Sequence, residues 1–247
     1  MIYSKKFNWY LKSRVNYTTF FVPLDFMMWS DLNLQTLQSK LNFQKIPGWK
    51  AQQVMAPPYR QNLVDEARFN TQKSKIAAVL IILCEINDEI YFPVIHRNTY
   101  PGIHSNQVGF PGGKVEKSDE NLEQTAIRES FEEIGAKPEA IEIWGELTEL
   151  FIPPSNFIVH PFVGSYKLNP NFIPCDKEVK DIIFLSLKEF ILNPPLQNYT
   201  VNVKGKAHKV PGFNLNQNLN VWGATAMMLN EFLEFIRNSL NLNAEIV

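Results

Sequence analysis

The strongest pattern in the chain is an almost continuous apolar run from Ile76 to Ile86, followed by a second apolar stretch from Ile90 to Ile95. A run of this length is typical of a strand that is buried on both faces of a sheet. Asn87 and Asp88 lie between the two stretches and favour a tight turn. The pattern therefore predicts a hairpin of two strands inside a sheet.

Further apolar stretches, separated by glycine and proline, predict the remaining elements. The predicted strands are 141–144, 147–151, 157–166, 182–185, 201–203 and 207–210, with a half-exposed extended segment at 213–221. The predicted helices are 30–42 with its N-cap in 29–31, 119–134 between a cap at Ser118 or Asp119 and a stop at Gly135, 187–192, and 221–240. Residues 43–74 are polar and contain prolines, so they predict a connection. This order of elements indicates an α/β domain with a mixed sheet.

The first 26 residues show no clear hydrophobic period. We interpret residues 1–29 as an N-terminal extension and residues 30–247 as a single domain. The adjacent Met27 and Met28 precede the first predicted helix, so we expect the natural protein to start at one of them.

Composition narrows the class of protein. The formal net charge of -1 argues against a broad electrostatic surface for nucleic acid. The sequence contains no apolar stretch long enough to cross a membrane. Its two cysteines, Cys84 and Cys175, lie in apolar surroundings and are expected to be buried thiols in a reducing compartment. We expect a cytoplasmic protein, a monomer or a homodimer, without a nucleic-acid or membrane partner.

The predicted helix 119–134 carries an unusual stripe of acidic residues. Glu129, Glu132 and Glu133 are spaced i, i+3 and i+4, so they lie on one side of the helix. Like charges at this spacing destabilise a helix in water. The stripe is explained if divalent cations bind there, because Mg²⁺ takes carboxylate oxygens and keeps waters for a phosphate substrate.

The neighbours of the acidic stripe support this interpretation. Arg128 lies beside it, and its planar fork suits a carboxylate. Gly112 and Gly113 form a flexible turn that brings a backbone carbonyl close to a metal or a phosphate. A glutamate-rich helix alone is usually a solvated face, but the combination with this turn argues against that. The apolar side of the helix is expected to face the core with Ile127, Phe131 and Ile134.

The run from Arg128 to Gly135 resembles the Nudix box. That pattern reads Gly, five residues, Glu, seven residues, Arg-Glu, an apolar residue, any residue, Glu-Glu, any residue, Gly and an apolar residue. Seven residues separate Glu120 from Arg128, as in the box, but six residues instead of five separate it from Gly113. Either the loop has one extra residue, or Asp119 stands in for the glutamate. Two further departures from the apolar positions are Ser130 and Ala136.

The segment before the box resembles the signature of the coenzyme A diphosphatases of the Nudix family. Arg97, Val108 and the run Phe110-Pro111-Gly112-Gly113 match that signature with its spacing. The departures are Ile95 for Thr, Asn98 for Ser, Gly102 for a second Arg and Asn106 for Gly. Later stretches that also resemble the subfamily are 145–147, 161–164, 178–179 and 222–226, so the resemblance covers residues 75–237.

This resemblance implies a Nudix-type α/β/α sandwich with a mixed sheet. It also implies Mg²⁺- or Mn²⁺-dependent hydrolysis of the diphosphate of coenzyme A or its derivatives, giving 3′,5′-ADP and 4′-phosphopantetheine. Two alternatives stay open at this point. One is a Nudix pyrophosphatase for another nucleoside diphosphate derivative, such as ADP-ribose or NADH, and the other is a non-catalytic nucleotide-binding module.

The resemblance also implies roles for individual residues. Glu129 and Glu133 are expected to hold the principal cation, and Glu132 a second cation or its waters. Arg128 belongs to the same catalytic group. The expected substrate-binding residues are Arg97, Gly112 and Gly113. Glu129 and Glu178 are both candidates for the general base, and a metal-bound hydroxide would need neither.

Overall fold

The apolar runs at the start of the domain form the predicted hairpin. The structure is a computed structural model that describes Trp29 and residues 31–67, 74–99, 106–203, 205–216 and 219–242. In it, β1 spans Lys75–Ile86 and β2 spans Glu89–Arg97. They pair antiparallel, with Ile86 opposite Glu89. Asn87 and Asp88 both have positive φ, at 51° and 63°. Asparagine and aspartate tolerate this conformation better than most residues, which explains the turn at this position.

A mixed sheet is built around β1. The other strands that join it within the described residues are β3 (Val108–Gly109), β4 (Gly112–Lys114), β5 (Ile141–Glu146), β6 (Leu150–Ile152), β7 (Phe157–Tyr166) and β8 (Val179–Ser186). The main path runs β3-β2-β1-β7-β5, while β4 pairs with β1, β6 with β7, and β8 with β2. The β1–β7 pair is parallel, and the other pairs in this sheet are antiparallel.

Helices cover both faces of this sheet. They are α1 (Leu34–Lys40), α2 (Trp49–Val54), α3 (Arg60–Ala67), α4 (Leu122–Ile134), α5 (Leu187–Leu192) and α6 (Gly223–Ser239). Side chains of β1 alternate between two buried clusters, with Ala78, Leu80, Ile82 and Cys84 on the α4 side and Ala77, Ile81 and Leu83 on the α6 side. This burial on both faces accounts for the nearly continuous apolar run. The α/β/α sandwich is confirmed.

A second, three-stranded antiparallel sheet follows α5. It contains β9 (Leu196–Val203), β10 (Lys206–Asn216) and β11 (Leu219–Trp222), in the order β11-β10-β9. Phe213, Leu215 and Val221 from this sheet join the same buried cluster as α6. The predicted strands 201–203 and 207–210 and the half-exposed segment 213–221 are therefore parts of one sheet, which packs beside the C-terminal helix.

The prediction for residues 43–74 was wrong, because they contain α2 and α3 and a 3₁₀ turn at 43–45. Helices this short depend on tertiary packing, which a local pattern does not reveal. The N-cap predicted at 29–31 was also wrong. The cap is Asn33, whose side chain accepts a hydrogen bond from the N–H of Thr36 while the Thr36 hydroxyl accepts from the N–H of Asn33.

The α4 helix differs from its prediction at its start and on its apolar side. Asn121 caps it by accepting from Gln124 N–H, in place of Ser118 or Asp119, while Gly135 ends it with φ 70° as expected. Phe131 was expected in the core but is 51% exposed. The buried side of the helix is instead formed by Thr125, Ala126, Ser130, Glu133 and Ile134.

Some expectations are tested only in part. Cys84 is fully buried, whereas Cys175 is only partly buried, so the prediction for Cys175 was wrong. No helix within the described residues is long and apolar enough to cross a membrane. Met27, Met28 and Gly102 lie outside the described residues. Cytoplasmic location and a monomeric or homodimeric state stay predictions.

Candidate active site

Glu133 lies at the centre of the candidate site and is only 1% exposed. Its Oε1 accepts a hydrogen bond from Arg97 Nη1 at 2.8 Å, and its Oε2 accepts from the Gly112 N–H at 2.8 Å. Burial raises the pKa of Glu133 to about 7, although Arg97 and the Gly112 N–H oppose the rise and the negative charge of Glu129 adds to it. The carboxyl thus joins α4 to the ends of β2 and β4.

The two glycines of β4 are needed because neighbouring groups lie against them. Gly112 has φ 152°, and a Cβ there would overlap the backbone of β1 at Ala78 and Val79. A Cβ on Gly113 would overlap the Glu129 carboxylate. The prediction of a flexible turn at Gly112 and Gly113 was wrong, because both residues lie in β4. The strand brings their backbone atoms directly against the acidic side of α4.

Arg128 connects the loop before α4 to the acidic stripe. Its Nε and Nη2 donate to Asp119 Oδ1 and Oδ2 at 2.8 and 2.9 Å, and Nη2 also donates to the Lys114 carbonyl at 3.1 Å. Its Nη1 donates to Glu129 Oε1 at 2.9 Å and to Glu132 Oε2 at 3.3 Å. Arg128 thereby holds the Glu129 side chain in place.

Asp119, one of the two candidates for the first glutamate of the box, contacts Arg128. It follows Gly113 after five residues and accepts hydrogen bonds from the Glu116 N–H and the Thr125 hydroxyl as well as from Arg128. The Arg128 side chain holds the pKa of Asp119 well below its usual range. Glu120 is exposed. The sequence leaves open whether Glu120 or Asp119 corresponds to the first glutamate of the box, and the contact with Arg128 favours Asp119.

Glu129 and Glu132 extend the acidic surface outward from Glu133. Glu129 is partly buried, and its pKa is raised by burial, opposed by Arg128 and increased by the charges of Glu132 and Glu178. The Glu132 side chain is 55% exposed. The three carboxyls of α4 therefore differ in exposure, from the buried Glu133 through the partly buried Glu129 to the solvent-exposed Glu132.

A loop after β7 brings Glu178 towards this surface. The N–H groups of Ile173 and Cys175 donate to the carbonyls of Ile134 and Glu133 at 2.9 Å each, which fixes the loop to the end of α4. Asn98 fixes its other side: its N–H donates to the Glu178 carbonyl and its side chain to the Asp176 carbonyl, both at 2.8 Å. Glu178 consequently lies close enough to Glu129 to influence its pKa.

Comparison with known proteins identifies this arrangement. Residues 74–203, more than half of the chain, match the NUDIX domain family. The chain belongs to the Nudix family. It is a hydrolase that acts on pyrophosphate bonds of nucleoside diphosphate derivatives, and the non-catalytic alternative is thereby set aside.

Two Nudix hydrolases are similar to this chain in sequence. Nudix hydrolase 3 of Caenorhabditis elegans is 29% identical over 189 residues, which cover 70% of this chain and 77% of that protein. The Nudix hydrolase NudL of Yersinia pestis is 28% identical over 173 residues, covering 70% of this chain and 85% of NudL. Among solved structures, a C. elegans Ap4A hydrolase complex matches with a TM-score of 0.40 and 21% identity, over 47% of this chain and 83% of that one.

Nudix hydrolases generally use divalent metal ions, and the donors at this site suit such an ion. Carboxylate and carbonyl oxygens are the ligands that Mg²⁺ takes, and Glu129, Glu132, Glu133 and Gly112 supply them. The charges of neighbouring carboxylates raise the pKa of Glu129, a repulsion that a cation would relieve. Among the described residues no three His, Cys, Asp or Glu side chains converge as a ready ligand group. Both oxygens of Glu133 are hydrogen-bonded, one to Arg97 and one to the Gly112 N–H.

The structure brings all seven of the sequence-predicted site residues into one region. The contact of Arg97 with Glu133 was not foreseen, nor was the role of Asn98 in holding the Glu178 loop. Asn98 stands where the subfamily signature has serine. The departure at position 98 was the only sequence signal for this role, but a signature does not show which loop the side chain contacts.

Proposed function

We propose that this protein hydrolyses the diphosphate of coenzyme A or its thioester derivatives in the presence of Mg²⁺ or Mn²⁺. The products are 3′,5′-ADP and 4′-phosphopantetheine or its acyl form. The support comes from the signature between Arg97 and Gly113, which resembles that of the coenzyme A diphosphatases. The coarser activity, hydrolysis of a pyrophosphate bond, follows from the family.

One observation carries the proposal: the signature and the box meet at Glu133. Arg97, which opens the signature, contacts Glu133 and the Gly112 carbonyl, at 2.8 and 3.0 Å. Gly112, near the end of the signature, donates its N–H to the same carboxyl. A diphosphate bound beside Gly112 is therefore within reach of both the guanidinium and the acidic stripe.

Each residue then has a defined part in hydrolysis. Glu129 and Glu133 would hold the principal cation, and Glu132 a second one or its waters. A divalent cation bound there would screen the diphosphate charge and lower the pKa of the attacking water. The water oxygen bonds to one phosphorus while the bridging P–O bond breaks, and the bridging oxygen leaves with the other phosphate.

The proton of the attacking water goes to a nearby carboxylate. Arg128 donates to Glu129 Oε1, so Glu129 Oε2 is the oxygen that is free of this contact. Glu178 is the second candidate, since its charge acts on Glu129 from the neighbouring loop. Arg128 itself is held by Asp119, so its part is to keep Glu129 oriented.

The experiment that tests substrate identity uses the full chain with Mg²⁺ or Mn²⁺ and separate samples of coenzyme A, acetyl-coenzyme A, ADP-ribose and NADH. Products are identified by liquid chromatography and mass spectrometry. We expect 3′,5′-ADP with 4′-phosphopantetheine, and coenzyme A compounds as the preferred substrates. If ADP-ribose or NADH is cleaved while coenzyme A is left uncleaved, the proposal is contradicted, and the protein is a pyrophosphatase for another nucleoside diphosphate derivative. The glycine at position 102, where the signature has a second arginine, makes that comparison necessary.

A further inference from the structure

Arg97 lies where a cation would be expected. Its Nη1 is 2.8 Å from Glu133 Oε1, and its Nη2 is 3.0 Å from the Gly112 carbonyl oxygen. One guanidinium therefore bridges a carboxylate and a carbonyl, the two kinds of oxygen that hard divalent cations take in proteins. The positive charge in the described structure stands between two oxygens of the metal site proposed above.

The buried carboxylate needs a positive partner, and Arg97 is the arginine that provides it. Glu133 is 1% exposed, and a buried charge is stable only when it is paired and hydrogen-bonded. Arg128 cannot take this part in the same arrangement, because its three nitrogens donate to Asp119, Lys114 and the outer glutamates. The pairing of Glu133 thus falls to β2.

A divalent cation and the Arg97 guanidinium exclude each other at this position. Hard divalent cations approach protein oxygens to about 2.0–2.6 Å, so a cation held by Glu133 and the Gly112 carbonyl would need room beside both oxygens. The nitrogens of Arg97 already occupy that side of both oxygens, at 2.8 and 3.0 Å. Like charges at such short range also repel strongly in a partly buried site.

We propose that Arg97 occupies the cation position of the metal-free protein and leaves Glu133 and Gly112 when a divalent cation binds, which frees its guanidinium for the substrate diphosphate. This inference rests on the proposed metal site. The Arg97 side chain is 21% exposed at the end of β2, so it has an open side towards solvent. Its fork suits two phosphate oxygens as well as it suits a carboxylate and a carbonyl.

The proposal predicts opposite effects of one substitution on two ligands. In Arg97→Met, Mn²⁺ should bind the substrate-free protein at least about fivefold more tightly, because no guanidinium has to be displaced. Methylenediphosphonate, a diphosphate analogue that cannot be split at its bridge, should bind the Mn²⁺-saturated variant more weakly than the wild type. If Arg97 and Glu133 formed a permanent structural pair instead, Arg97→Met should bind Mn²⁺ more weakly than the wild type, because loss of the pair would leave Glu133 misplaced.

The measurement is Mn²⁺ binding by electron paramagnetic resonance and by calorimetry, without turnover. Arg60→Met is the matched control, because Arg60 is a partly buried arginine over the Trp49 ring that donates to the Phe151 carbonyl. It should leave Mn²⁺ affinity unchanged. Arg97→Gln is the second variant if Arg97→Met does not fold, and the same direction is expected.

The outcomes separate this inference from the proposed function. If the wild type binds Mn²⁺ and Glu133→Gln does not, the metal site holds, and equal or weaker Mn²⁺ binding by Arg97→Met then overturns the displacement of Arg97 alone. If the wild type binds no Mn²⁺, or Glu133→Gln binds it as well as the wild type, the proposed metal site fails and this inference fails with it.

Discussion

Asp119 and Arg128 face each other through two parallel hydrogen bonds, with Nε to Oδ1 at 2.8 Å and Nη2 to Oδ2 at 2.9 Å. The Asp119 side chain is only 3% exposed, and it also receives hydrogen bonds from the Glu116 N–H and the Thr125 hydroxyl. The pair therefore fixes the loop before α4 to the helix itself. Through Arg128 Nη1, it also fixes the side chain of Glu129.

Replacing Asp119 by Asn should destabilise the protein by roughly 2–3 kcal/mol, because Arg128 loses its charged partner and the loop loses its anchor. The free energy of unfolding from urea titration at neutral pH measures this effect. Glu120→Gln, on the exposed neighbour, should change it by less than about 0.5 kcal/mol. Equal values for the two variants would show that the pair contributes nothing to folding.

The same pair predicts a dependence of stability on acid. Arg128 lowers the pKa of Asp119 in the folded protein, so the folded state favours the ionised carboxylate. The resulting stabilisation is complete above the unfolded pKa of about 4 and is lost as the pH falls below it towards the folded pKa. The difference in unfolding free energy between wild type and Asp119→Asn should therefore narrow as the pH falls from about 5 to about 2. A difference that stays constant over this range contradicts the assignment.

Gly113→Ala should reduce activity much more than stability. The added methyl would overlap the Glu129 carboxylate, which is the free end of a side chain and is able to move away. We expect a loss of about a hundredfold in kcat/KM from the displaced carboxylate and a change of less than about 1 kcal/mol in unfolding free energy. Gly109→Ala is the control, since its methyl would make ordinary contact with Thr225 at 3.8 Å. Full activity in Gly113→Ala would show that activity does not require Glu129 at its present position.

A buried carboxylate on α6 should control the attachment of α2. Glu231 is fully buried, and its two oxygens accept from the Gly48 N–H, the Thr148 N–H and hydroxyl, and the Gln52 side chain. In Glu231→Gln the new amide nitrogen must face at least one of these donors, so we expect a loss of roughly 2–3 kcal/mol.

Hydrogen exchange locates the effect of Glu231→Gln. Amides of α2 should exchange faster in the variant than in the wild type, because Gly48 and Gln52 flank or belong to that helix. Glu234→Gln, one turn further along α6 and partly exposed, is the control and should leave α2 protected. Unchanged protection of α2 in Glu231→Gln would mean that its attachment depends on apolar contacts alone.

The sequence was sufficient for the elements whose pattern is local. The apolar run of β1 and the amphipathic period of α6 predict their burial, and α5 lies at the predicted residues 187–192. It was insufficient for elements whose formation depends on contacts with residues far away in the sequence. The short helices α2 and α3 depend on packing against other elements, such as that of α2 on α6, and Gln52 reaches Glu231 across 179 positions of the chain.

The same limit explains the errors at the candidate site. Helical periodicity puts Phe131 opposite the acidic stripe and suggests a buried ring, but the ring is exposed. It gives no sign that Glu133, on the stripe, is buried. Partners from β2 and β4 satisfy the Glu133 carboxyl, and a helix sequence alone cannot show that these partners exist.

The most direct test of the metal-dependent site is the initial rate of coenzyme A cleavage by the wild type, Glu133→Gln and Glu123→Gln, after chelation with EDTA and again after Mn²⁺ is added. Glu123 is exposed in the first turn of the same helix and serves as the matched control. We predict no turnover in EDTA, full recovery with Mn²⁺ for the wild type and Glu123→Gln, and a rate at least about a hundredfold lower for Glu133→Gln. A folded Glu133→Gln variant that cleaves coenzyme A at the wild-type rate would contradict the account.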